Sequence, residues 1–263
     1  MTFAGKALPM TGPGMAKVCA ALEVGELEIW AVLTVETNGF GFLKDRRPQI
    51  LFERHIFSKL TGGQFDAANP DISNKAPGGY LGGAAEYTRL EKAMALSPQK
   101  PEIAEAALKS ASWGLPQIMG FNHKQAGFNS VLSMIQEMVD GEDAQLAALG
   151  NFIKSSGKCN VGLQRRDWGT FAAGYNGADF SINQYDKKLA AAFEKLKLLL
   201  PDIGYRAAQV ALTFLGLDPG PVDGIRGRQT RGCLVRYQEK NDLMPTGDLD
   251  DPTNASLMAT AFP

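Results

Sequence analysis

Apolar residues recur every three to four positions over two early segments, 15–24 and 26–36, with Gly25 as the break, and this spacing predicts two helices. In the second, Ile29, Val32, Leu33 and Glu36 follow i, i+3, i+4 and i+7, so a glutamate ends the apolar stripe of its own helix. Residues 1–14 are rich in glycine and proline and read as an irregular arm. Short apolar runs at 40–43 and 50–52 flank the turn-like KDRRP and predict a β-hairpin. The glycine- and proline-rich stretch 61–83 predicts a long surface loop, which inside a compact domain is usually functional or mobile. From Glu86 to about Leu200 the pattern is mostly helical, broken at Pro98, Pro101, Gly120, Gly141, Gly157 and Gly177. Pro201 and Gly204 then mark a boundary. Beyond it, Ala207, Val210, Ala211, Phe214 and Leu215 form a one-sided stripe, a second helix starts near Thr230, and a third is expected around residues 252–261. The expected fold is mainly α, with one small hairpin, in two domains: 1–200 and a three-helix unit at 205–263.

The 263 residues are 44% hydrophobic and 21% charged, as in an ordinary globular protein. Lys and Arg total 27 against 28 Asp and Glu, a formal net charge of −1. Such a balance lacks the cationic excess that drives counterion release from nucleic acid, so no nucleic-acid partner is expected. Cys19, Cys159 and Cys233 are far apart and form no CxxC, which argues against a zinc cage or a disulfide framework. No apolar run is long enough to span a membrane and the N-terminus lacks an apolar h-region, so neither stable membrane insertion nor a cleaved signal is expected.

The chemistry of interest starts at Glu36. A carboxyl on an apolar stripe, at the negative end of a helix dipole, is biased toward its protonated form. An acid that keeps its proton near neutral pH can donate it to a leaving oxygen. Asp45 in the hairpin turn and Glu53 at the end of the second strand are both within reach of it, and glycosidases pair two carboxylates across the bond they break. Glu53 is the stronger candidate, because a charge within an apolar strand needs a partner or a task. Farther on, Trp113 offers a flat face for a sugar ring and Gln117 a donor and acceptor for an acetamido group. Tyr175 and Asn176 stand between glycines in FAAGYNGADF. His55 and His123, the two histidines, have no cysteine or acidic cluster around them, so they read as structural and no metal or other cofactor is expected.

The order of these features is itself informative. VLTVETNGFGF, PQILFERHIFSKLTGG, SASWGLPQIMGFNH, FAAGYNGADF and a closing YDKKLAAAFEK helix together resemble the N-acetylmuramidase family of phage endolysins, a branch of the lysozyme-like superfamily, over roughly residues 15–195. More distantly the chain is similar to goose-type lysozymes and soluble lytic transglycosylases. The tail, DGIRGRQTRGCLVRYQ followed by TGDLDDPT, resembles the three-helix peptidoglycan-binding module of wall hydrolases. Asp223, Gly224, Gly227, Thr230, Tyr237 and Gln238 match its pattern, while Gly232 departs from it and weakens the second helix.

The resemblance implies a lysozyme-like α+β catalytic domain at 1–200 and a peptidoglycan-binding domain at 205–263. It implies cleavage of the β-1,4 bond between N-acetylmuramic acid and N-acetylglucosamine, hence lysis of the bacterial wall. In that reaction Glu36 is the general acid, Glu53 (or Asp45) activates water, and Gln117, Tyr175 and Asn176 position the sugar. Lytic transglycosylation, in which the muramoyl 6-hydroxyl attacks and no second carboxylate is required, is the alternative, as is an inert wall-binding protein. A stem-peptide amidase would need a metal cluster or a Cys/His pair, which the sequence does not display. The partner is peptidoglycan at both domains, the C-terminal one acting as a tether. A monomer is the default, held in the host cytoplasm until released to the wall.

Overall fold

The computed structural model describes residues 3–37, 40–177, 181 and 183–263. Helix α1 (Gly12–Leu22) starts at Thr11, whose hydroxyl caps Gly14 N at 3.0 Å, and Pro13 occupies its first turn. Helix α2 (Glu26–Thr37) follows after Gly25 and buries Ile29 through Leu33. Next come β1 (Ile50–Phe52), α3 (Arg54–Leu60), the long loop, α4 (Ala85–Met94) and α5 (Pro101–Lys109). Strands β2 (Ala111–Trp113) and β3 (Ile118–Met119) form a hairpin. A 3-10 turn over Gly120–Asn122 leads to α6 (Val131–Met138), α7 (Glu142–Ser155), α8 (Gly157–Arg165), α9 (Trp168–Asn176) and α10 (Tyr185–Leu196). Helices α11 (Ile203–Phe214), α12 (Arg228–Lys240) and α13 (Asp251–Ala261) complete the chain. Among the described residues no helix is long and apolar enough to cross a membrane.

The chain is mainly helical with a small sheet, the fold class expected from the sequence, but the sheet is built differently. Its order is β1-β2-β3, antiparallel throughout, with Ile50 opposite Trp113, Phe52 opposite Ala111, and Ser112 opposite Met119. The segment expected to partner β1, residues 40–43, contributes a single bridge from Phe42 to Pro48. The ladder goes no further because Gly41 N donates to Glu142 and Gln49 O accepts from Gly114 N at 2.8 Å. Strand β1 pairs instead with a segment that falls inside the tract read as helical. Gly114 at φ +67° and Gln117 at φ +48° turn that segment back on itself, a conformation a helix cannot contain.

Three apolar clusters fill the molecule. One lies under the sheet with Phe52, Phe57, Tyr87, Trp113 and Ile135; a second gathers α1, α2 and α7 to α10 around Ile29, Leu149, Phe171 and Phe193; a third is confined to α11, α12 and α13. The N-terminal arm is irregular yet anchored, with Phe3, Ala7 and Met10 buried and Leu8 bridging Gly141.

The first turn of α7 binds these parts together. Glu142 is fully buried, and its two oxygens accept from Met10 N (3.0 Å) in the arm, Gly41 N (2.9 Å) behind α2, and both Nη atoms of Arg206 (2.5 and 2.7 Å) in α11. One turn on, buried Gln145 accepts from Leu115 N (2.6 Å) in the β2–β3 turn and donates to Met138 O (2.9 Å). The C-terminal three-helix unit is held a second time by Arg46, which donates to Ala261 O at 2.6 Å and lies 4.4 Å over the Phe214 ring. It is therefore docked through a buried ion pair, and deleting 205–263 does more than remove a tether: it leaves a carboxylate inside the N-terminal half without its cation.

Breaking a buried pair from one side costs about 3–5 kcal/mol, because the remaining charge is stranded. Arg206→Met is expected to lower the unfolding free energy by about that much, and adding Glu142→Gln to recover part of the loss. Urea unfolding of the two variants checks this; an Arg206→Met curve coincident with the parent's would contradict it.

Candidate active site

Glu36 lies in the last turn of α2, where the apolar stripe that buries Ile29, Val32 and Leu33 runs out at the edge of a cleft. The cleft has a volume of about 410 Å³, and Glu36, Glu53, Gln117, Tyr175 and Asn176 all line it. The five residues singled out from the sequence thus come together from α2, the end of β1, the β2–β3 turn and the C-terminal end of α9. Residues 38–39 of the glycine-rich turn and 178–180 of the FAAGYNGADF motif lie outside the described residues.

Burial pushes the Glu36 carboxyl up to about 7, against a smaller downward pull from the Asn176 side chain that hydrogen-bonds it. Its surroundings explain the direction. Tyr175 stacks on Phe171 (centroids 5.3 Å apart) and meets Phe152 edge-on, presenting hydrocarbon to the carboxyl. Burial, and then the nearby Glu36 charge, hold the Tyr175 and Tyr185 hydroxyls above their ordinary range.

Glu53 occupies the residue after β1, where its N–H still bonds Ser110 O at 2.9 Å, and the N-cap position of α3. It does not cap that helix with its side chain. The carboxylate instead accepts from the Tyr80 hydroxyl (2.9 and 3.1 Å to its two oxygens) and stands 3.1 Å from His55 Nδ1. Tyr80 comes from the long loop. That loop is fixed from behind by Glu86, which accepts from Leu81 N (2.6 Å), Gly82 N (3.0 Å), Phe52 N (3.1 Å) and Arg89 Nη1 (2.9 Å). Burial favours a protonated Glu86, but the Gly82, Leu81 and Phe52 N–H groups and Arg89 outweigh it and hold the group below the ordinary glutamate range. Arg54 adds bonds to the carbonyls of Ala76 (2.9 Å) and Pro77 (3.0 Å). The loop is thus a braced wall that carries one hydroxyl to one carboxylate.

Two readings need correction. Asp45 is not in the cleft: it is 44% exposed and engaged by Arg47, which donates from Nε at 2.9 Å and from Nη2 at 2.7 Å. Burial acts to raise its pKa, but the Arg47 bonds prevail and lower it. Trp113 is no sugar platform; it is fully buried, and its Nε1 donates to Leu108 O at 3.1 Å. Gln117 does line the cleft, but its amide is largely used within the fold. Its Nε2 donates to Gly114 O (2.8 Å) and Gln49 O (3.3 Å), and its Oε1 accepts from Ser112 Oγ (2.7 Å). Tyr175 Oη likewise donates to Pro116 O at 2.8 Å. Both therefore hold the β2–β3 turn against the wall. The side chains the sequence reading passed over are Tyr80, Tyr185 and Phe152; an aromatic within PGGYLGG was the one local sign of the first. Among the described residues no group of three or more His, Cys, Asp or Glu is arranged to hold a metal.

A model of the N-acetylmuramidase family matches residues 26–197, and a model of a peptidoglycan-binding domain matches 204–257. None of the curated proteins matches the chain. Among solved structures, the crystal structure of the Burkholderia AP3 phage endolysin is similar at 36% identity and a TM-score of 0.63, over 72% of this chain and 71% of that one. The cleft thus lies within the segment the first model matches, the second model covers most of the docked three-helix unit, and the chain belongs to the N-acetylmuramidase family, as a peptidoglycan-cleaving glycosidase with a peptidoglycan-binding domain behind its catalytic half.

Proposed function

We propose that the protein is an endolysin that hydrolyses the β-1,4 bond between N-acetylmuramic acid and N-acetylglucosamine. The observation that carries this reading is a half-buried carboxyl, Glu36, with a pKa near 7, facing a second carboxylate wall in one cleft. Glu36 gives its proton to the glycosidic oxygen as the bond to C1 breaks. Glu53 orients and deprotonates the water that attacks C1 and then releases that proton to solvent, while Glu36, now ionised, is reprotonated from solvent. A carboxylate has about four lone-pair sites, so the contacts from Tyr80 and His55 leave Glu53 an acceptor for water. Tyr80 fixes its orientation. Met119, Phe152 and Tyr185 give the sugar apolar surface, and Asn176 steadies the acid. The engagement of Glu53 by two neighbours is also the feature that favours the alternative, attack by the muramoyl 6-hydroxyl, which needs no base at that position.

Digestion products separate these chemistries. New reducing ends support hydrolysis, 1,6-anhydromuramoyl ends would assign transglycosylation, and free amines would contradict glycosidic cleavage altogether. Glu36→Gln is expected to lower turnover by about 10²–10⁴-fold and Glu53→Gln to fall in the same range, whereas Asp45→Asn stays within about twofold. Full activity in Glu36→Gln would remove it from the acid role. The acid must be protonated to act, so turnover is expected to fall as pH rises through about 7, roughly tenfold per unit beyond it. A profile flat from pH 6 to 9 would contradict a glutamate donor.

A further inference from the structure

A second groove, of about 400 Å³, lies between the catalytic half and the wall-binding unit. One wall carries Thr37, Lys44 and Gln49; the other carries Leu217, Asp218 and Pro221 from the loop after α11. It adjoins the catalytic cleft along two strands of chain. Thr37 follows Glu36 directly, and Gln49, whose carbonyl receives Gln117 Nε2 at 3.3 Å, precedes the cleft residue Leu51 by two positions. The groove has fixed sides, since the Glu142–Arg206 pair and Arg46 hold the two halves in register. Its volume is in the range of small-ligand sites, roughly 300–1,000 Å³.

The chemistry of its lining suggests an occupant. The deeper surface is apolar, with Phe42 and Val222 buried. The rim carries two opposite charges with room for a ligand. Lys44 is exposed and makes no ion pair among the described residues; its neighbour Asp45 is committed to Arg47. Asp218 is exposed, and one of its oxygens receives only Gly220 N, at 3.3 Å. A free cation, a free carboxylate and a shallow apolar floor match a short peptide with small aliphatic side chains, carboxylates and an amine. In peptidoglycan that peptide is the stem, and it branches from the muramic acid, the sugar beside the scissile bond. We propose that the interdomain groove binds the peptide stem of the strand being cut, with Lys44 pairing a stem carboxylate, so that the wall-binding unit forms one side of the substrate site. This rests on the glycosidase reading and adds a stem-dependent subsite to it.

The test compares two polymers: intact peptidoglycan chains bearing stems, and the same glycan stripped of stems by an amidase. Lys44→Ala on one wall and Pro221→Trp, which fills the groove from the other, are each expected to lower kcat/KM on the stem-bearing polymer about tenfold, the factor for losing one charge-assisted contact. The loss lies mainly in KM, and both variants keep the parent's turnover of stripped glycan. Both are exposed positions, and an unchanged melting curve shows that the fold is intact. Equal losses on both polymers would mean that the groove takes glycan instead, and no loss on either would mean that it takes nothing; each overturns the proposal while leaving the glycosidase reading standing. A parent enzyme that releases no sugar ends from either polymer overturns both.

Discussion

A single buried carboxylate organises this molecule. Glu142 is shut off from water, and an ion there is tolerated only because four donors meet it: two backbone N–H groups and the two ends of a guanidinium. Those donors belong to the N-terminal arm, the turn behind α2, and the C-terminal unit. The desolvation that makes the site costly is also what makes it specific, since each partner must arrive at its place for the charge to be compensated. Gln145, one turn farther along α7, extends the same logic to the β2–β3 turn through Leu115. Two polar residues one turn apart on α7 thus position the turn behind α2 and the β2–β3 turn.

The two acidic groups of the cleft have different surroundings. Glu36 meets aromatic surface and one carboxamide, so burial dominates and its proton is retained to about 7. Glu53 accepts from the Tyr80 hydroxyl and lies beside His55. The proposed roles of acid and base rest on this difference in surroundings. The braced loop behind Tyr80 matters for this reason. Its conformation depends on the buried Glu86–Arg89 pair, itself anchored to Phe52, the residue before Glu53.

Several parts of this arrangement were legible in the sequence, for local reasons. The helical period placed Glu36 at the cleft end of an apolar stripe, and aromatic side chains from α7, α9 and α10 complete its surroundings. Glu53 stood out because a charge had no evident business at the end of an apolar strand. Other parts depend on long-range contacts that periodicity does not encode. Trp113 had the composition of a sugar platform, but its strand is the centre of the sheet and is covered on both faces, so the indole is core. Asp45 looked like a second carboxylate until its pairing with Arg47 fixed it in the turn. The pairing of β1 with residues 111–113 crosses about sixty positions, and the Arg206–Glu142 contact spans a similar distance. Nothing in the pattern around Arg206 separates it from an ordinary helical arginine, so the sequence carries no sign that the C-terminal unit also docks through a buried ion pair.

The central physical claim is that Glu36 keeps its proton in the folded enzyme at pH values where an ordinary glutamate has lost it. The most direct measurement follows the side-chain carboxyl carbon of Glu36 by NMR in ¹³C-glutamate-labelled protein, assigned against Glu36→Gln, across pH 3 to 9. A titration midpoint near 7 is the predicted result. A midpoint at the ordinary glutamate value, about 4.3, would contradict the account, because Glu36 would then hold no proton to donate near neutral pH.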